Sequence, residues 1–147
     1  MRHLTRRFRP FLAALLAFGV LGFAATAMAA DGETVTPKEG TVYYSIAEGL
    51  KLIKDGKFDA WKKAYCHTGD LCYNDNAWRS VEKYNLPALQ RLAPKCLKDG
   101  GKLLVTKVDG DVDKDDSLKI FIECDPKGMP RPFYLKKDGK TWKFTKI

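Results

Sequence analysis

Apolar residues recur along this chain with two different periods, and the change between them near Gly100 predicts helices first and strands afterwards. Ile46, Leu50 and Ile53 fall on one face of a 3.6-residue repeat, and Phe58, Trp61 and Tyr65 take it up again after Asp55-Gly56. That spacing predicts a long first helix broken or kinked at the glycine. Ser45, with Glu48 three positions on, has the pattern of a capping box and is the expected start. Asn74, Asp75 and Asn76 each offer an N-cap for a second helix, along which Trp78, Val81 and Tyr84 share a face. Asn85-Leu86-Pro87 reads as a restart, because a proline in the first turn lacks only an amide the helix does not use. Leu86, Leu89 and Leu92 extend the stripe, and Pro94 is expected to end it.

After Gly100 the repeat becomes 2. Lys102 to Val108 is a β-rich run. Leu118, Ile120, Ile122 and Cys124 alternate with Lys119, Phe121 and Glu123, which predicts a half-buried strand with Cys124 on the core side. The connecting segment, Asp109 to Ser117, carries five aspartates and invites a calcium reading. It fails on position: counting from Asp109, the EF-hand glycine is Lys114 and the twelfth residue is Ile120. A solvated hairpin loop fits better. Gly128-Met129-Pro130-Arg131-Pro132 is a rigid turn between the second and third strands. Asp138-Gly139 reads as a two-residue hairpin turn, which pairs Leu135 with Trp142 and Phe133 with Phe144 and puts all four on one face.

Upstream of this domain the pattern is of another kind. Arg2, Arg6, Arg7 and Arg9 precede an uncharged run from Phe11 to Ala25, and Ala27-Met28-Ala29 has the small-x-small form of a leader cleavage site. Residues 1–29 therefore read as a cleaved signal peptide, 30–41 as a flexible lead-in, and 42–147 as a single domain. The expected location is the bacterial periplasm or the medium, with no membrane anchor after cleavage. Four positive charges leave with the leader, so the formal charge of +8 falls to about +4. The remaining cations are nineteen lysines, spread along the chain, and only Arg79, Arg91 and Arg131. That dispersed pattern reads as a solvated surface and argues against nucleic acid as a partner.

Cys66, Cys72, Cys96 and Cys124 are an even set in an oxidising compartment, which predicts two disulfides. Of the three pairings, Cys66–Cys72 and Cys96–Cys124 are favoured, the first closing a short loop and the second tying the end of the helices to a strand. A metal site at Cys66, His67 and Cys72 is the weaker reading, since no C-x-x-C pair is present. Neither a metal nor a cofactor is implied.

Helices followed by four antiparallel strands predict an α+β domain in which a curved sheet wraps the helices. The phrase from Ala47 to Phe58 (AEGLKLIKDGKF) and the closing Gly139-Lys140-Thr141-Trp142-Lys143-Phe144 resemble the small exported members of the NTF2-like superfamily. The resemblance implies a cone with a pocket between sheet and helices, in a superfamily that includes both enzymes and binding domains. Enzymatic members commonly use an inward Asp-His or Asp-Tyr pair, and no strand here offers an inward aspartate.

His67 and Asp70 are the weak catalytic candidates, as a base and its orienting partner. The candidate ligand-binding residues are Trp61, Tyr65, Trp78, Tyr84, Phe121 and Tyr134, as aromatic rings, and Arg131, between two prolines, as an anion contact. The preferred expectation is a non-catalytic binding or accessory domain for a small apolar ligand or a protein partner, with a homodimer through an open sheet face as one form of the latter. The alternatives are a small hydrolase or isomerase using His67 and Asp70, and an inhibitor or immunity-type protein.

Overall fold

The structure, a computed structural model, describes residues 32–147; the expected leader and its cleavage site lie outside the described residues. Helix α1 spans Val42–Lys54 and begins one turn before Ser45. Thr41 is the cap: its hydroxyl accepts from the Tyr44 N–H at 3.3 Å and donates to the Lys38 carbonyl at 2.6 Å. The earlier start buries Val42 as well as Ile46, Leu50 and Ile53, and it places Ser45 inside the helix while Glu48 pairs with Lys51 at 2.6 Å. The Ser45 capping box is thus corrected to a Thr41 cap. At the other end the Gly56 N–H donates to Ile53 and the Lys57 N–H to Leu52, a Schellman closure that requires the positive φ of Gly56, +70°. Helix α2, Phe58–Tyr65, follows as the expected second stretch.

Asn74 caps α3 (Asp75–Ser80), accepting from the Ala77 N–H at 2.8 Å. A π-helical turn, Val81–Asn85, then leads directly into α4, Leu86–Cys96. The wider turn changes the phase of the stripe. Burial steps from Val81 to Leu86, so Tyr84 is 63% exposed and does not share the buried face expected for it. Pro94 does not end the helix; α4 runs on to Cys96, which is fully buried.

The strands are β1 (Glu33–Val35), β2 (Leu97–Lys98), β3 (Lys102–Asp109), β4 (Ser117–Ile122), β5 (Arg131–Asp138) and β6 (Thr141–Lys146). They form one antiparallel sheet in the order β1-β3-β4-β5-β6, with β2 also on β3. The four expected strands are joined by two short ones that no period could reveal. One of them, β1, lies in the segment read as a flexible lead-in. Val105 pairs with both Glu33 and Ile122, and Leu103 with both Val35 and Leu97. A strand has only two edges, so β2 and β4 must lie end to end along one side of β3 and β1 along the other. That arrangement brings Cys96, just before β2, to Cys124, just after β4. The two disulfides are Cys96–Cys124 and Cys66–Cys72, as expected.

The β5–β6 hairpin differs from expectation in register. Asp138 pairs with Thr141 and Leu135 with Phe144, so the turn residues are Gly139 and Lys140. A turn over Asp138-Gly139 would need positive φ at Asp138, whereas a type II′ turn needs it only at its first residue, here Gly139 at +62°. The slip is two residues, and the side-chain period is also two. Leu135, Phe133, Trp142 and Phe144 therefore still share the buried face.

Helices cover one face of this sheet. Ile46, Leu50, Ile53, Trp61, Leu86 and Leu89 meet Leu103, Ile120, Ile122, Phe133, Leu135 and Phe144 in one core. Gly49 sets how closely α1 approaches, since a Cβ there would lie 2.8 Å from the Phe144 ring and 3.2 Å from Trp61 Nε1. The opposite face of the sheet has no helical cover among the described residues.

Candidate functional site

His67 holds an edge of the sheet. Its N–H donates to the Phe144 carbonyl at 3.0 Å, and its own carbonyl accepts from Asp70 and Cys72. The Cys66–Cys72 loop thereby closes part of the outer edge of β6, which would otherwise present unpaired backbone groups. Asp70 Oδ2 lies 2.7 Å from His67 Nδ1, but out of line with the ring N–H, so the contact is an ion pair when the imidazole is protonated and not an aligned hydrogen bond. None of the four described cavities is lined by either residue.

Tyr65 does line a cavity, of about 300 Å³, between the start of α1, the end of α2 and the β5–β6 turn. Glu39, Gly40, Tyr44, Ser45, Lys140 and Thr141 complete it. Burial raises the Tyr65 pKa above its ordinary value, with Glu48 and Tyr44 adding to the effect, so the phenol stays protonated. A protonated phenol can donate a hydrogen bond to a group held in that cavity.

The other candidates separate cleanly. Trp61 is fully buried in the core, with its Nε1 unpartnered against Gly49. Trp78 is also in the core, with Lys62 Nζ 4.6 Å from its ring centroid. Tyr84 is exposed on the helical layer. Arg131 opens β5 opposite Ile122, and its Nε is buried without a partner. These residues share no common site.

Phe121 and Tyr134 lie on the uncovered face of the sheet, opposite Ile120, Ile122, Phe133 and Leu135, and so do not line a cavity between sheet and helices. Lys119 faces Tyr134 across the β4–β5 ladder, and Lys107 faces Phe121 across the β3–β4 ladder because of a bulge between Val105 and Lys107. A second bulge in β6 brings Lys146 opposite Tyr134. The ammonium groups rest on the rings: Lys119 Nζ is 4.6 Å from the Phe121 centroid and 5.2 Å from that of Tyr134, Lys107 is 5.3 Å from Phe121, and Lys146 is 5.4 Å from Tyr134. Lys136 and Lys143, paired across β5 and β6, extend the same face.

Sequence reasoning placed the two rings outward and missed the lysines as a group, treating them as dispersed. The alternation of Lys119 with Phe121 and of Tyr134 with Lys136 was the available signal. The bulges that recruit Lys107 and Lys146 leave no mark in the hydrophobic pattern. The acidic loop between β3 and β4 is occupied with itself: Asp111 and Asp115 accept from the backbone N–H groups of Asp113 and Asp111, and the Lys114 ammonium holds the Asp111 carboxyl below the usual carboxylate range. Among the described residues no three His, Cys, Asp or Glu side chains converge on a metal position, and no helix is long and apolar enough to cross a membrane.

Two layers, two crosslinks and one lysine-aromatic face define an α+β domain of the disulfide-containing kind, consistent with an oxidising compartment. Comparison with protein-family models, with curated proteins and with solved structures returns no match for the chain.

Proposed function

We propose that this chain is a non-catalytic binding domain, exported by its leader to the periplasm or the medium, whose working surface is the uncovered face of the sheet. The observation that carries this reading is the placement of Phe121 and Tyr134. Neither contributes to the buried core, yet each large ring lies on the solvent side with ammonium groups held over it. For an NTF2-like domain, as the sequence resemblance implies, a binding role is the reading that needs no inward acid-base pair. The cavity beside Tyr65 favours a second reading, a small ligand held between α1 and the β5–β6 turn.

Native mass spectrometry of the protein recovered from its own envelope fraction separates the two. A retained species that is lost from Lys119→Glu/Lys146→Glu and kept by Tyr65→Ala is the expected result. The reverse pattern would move the site to the cavity, and turnover of a supplied substrate that depends on His67 would overturn the non-catalytic reading.

A further inference from the structure

Resting on the uncovered sheet face as the working surface, we propose that its partner is a linear acidic polysaccharide, a polymer of sugar rings bearing carboxylates. Three features of the face select that chemistry. The groups form a row, with Lys107 on β3, Phe121 and Lys119 on β4, Tyr134 on β5 and Lys146 on β6. Three inter-strand spacings of about 4.8 Å make this a track of roughly 14 Å running across the strands. A track suits a linear polymer better than a compact ion or a bilayer plane.

The cations are lysines throughout, and two of them are paired with carboxylates. Lys107 pairs with Asp109 at 2.6 Å and Lys143 with Asp138 at 2.7 Å, whereas Lys119, Lys136 and Lys146 make no ion pair among the described residues. An ammonium is a point charge that suits separate carboxylates. Dense phosphates and nucleic-acid backbones are matched better by the arginine fork, which is absent from this face. The third feature is preorganisation. Phe121 and Tyr134 act as pedestals whose π-faces hold the lysine heads in place, so less side-chain freedom is lost on binding. The remaining ring surface can pack against the C–H faces of sugar rings. An anionic membrane would instead need protruding apolar groups, and the most exposed large hydrophobics, Met129, Tyr73 and Tyr84, lie outside this row.

The test uses the mature, oxidised protein and oligogalacturonate, a linear polyuronate, with binding followed by calorimetry at low ionic strength. Binding is expected to weaken as salt rises and to be absent with neutral dextran. Lys119→Glu/Lys146→Glu should lower affinity by at least about tenfold. Lys63→Glu/Lys95→Glu, an equal charge change on exposed positions of the helical layer, should leave it within about twofold. Tyr134→Leu, which keeps every charge, should weaken binding by roughly threefold through loss of the pedestal. Near-ultraviolet circular dichroism and intact mass verify that each variant is folded with both disulfides.

Equal losses in the two charge-reversal variants would reduce the effect to net charge and overturn the proposal. Tighter binding to oligothymidylate, or to phosphatidylglycerol vesicles, would replace the polysaccharide with a nucleic acid or a membrane. If oligogalacturonate does not bind while the wild-type protein still loses its envelope species on Lys119→Glu/Lys146→Glu, the partner chemistry is wrong and the surface stands. If neither dependence appears, both fail.

Discussion

At the scale of single residues, Gly49 decides how the layers meet. A helix-interior glycine ordinarily gains up to about 1 kcal/mol on replacement by alanine. Here the added methyl would press on Phe144 and Trp61. Gly49→Ala is therefore expected to destabilise by about 1–3 kcal/mol in urea melts, the range of overpacking in a filled core. Tyr65 and Tyr43 supply a second residue-scale effect. Burial raises both phenols above 10.0, and the unfolded chain ionises first, so their contribution is complete below about pH 10 and is lost as pH rises through the folded values. Denaturant midpoints should fall as pH rises above about 10, and Tyr65→Phe with Tyr43→Phe should flatten that fall. Asp138 acts in the opposite direction. Its pairing with Lys143 keeps the carboxyl below the usual range, so the pair persists well into acid and is lost only as pH falls through that lowered value.

At the scale of elements, the crosslinks differ in worth. Loop-closure entropy assigns about 2.4 kcal/mol to Cys66–Cys72 and about 3.6 kcal/mol to Cys96–Cys124. The second also has both sulfurs buried where α4, β2 and β4 meet. Replacing Cys96 and Cys124 by alanine should lower the thermal midpoint more than replacing Cys66 and Cys72; the opposite order would contradict this ranking of the two crosslinks. For the hairpin, Gly139→Ala should cost on the order of 1 kcal/mol through its positive φ.

The elements also show what a sequence can carry. Alternation in β4 and the disulfide pairing were legible because period and loop length are local properties. The slip of β5 against β6 was not, because a shift of two residues leaves every buried side chain on the same face. Tyr84 was misplaced because one π turn between α3 and α4 changed the phase by a residue, and Pro94 because a tertiary core sustained the helix past it. The helix is capped at Thr41 and not at Ser45 because the earlier start buries Val42, which the Ser45–Glu48 spacing does not register.

At the scale of the whole molecule, one face of the sheet is used for folding and the other carries charge. The helices, both crosslinks and the His67 loop all serve to complete a core against β3 to β6, and they leave the Phe121–Tyr134 row to solvent. The candidate site was half legible. Its rings were placed outward, while its lysines were gathered by two bulges and by strand order. The account rests on that uncovered face being where binding occurs, and amide chemical-shift mapping of the ¹⁵N-labelled protein titrated with oligogalacturonate tests it most directly. The expected result is a continuous set of shifts at Lys107, Lys119, Phe121, Tyr134 and Lys146 that saturates with the calorimetric affinity. Shifts confined to Tyr44, Ser45, Tyr65 and Thr141, or none on the sheet, would contradict it.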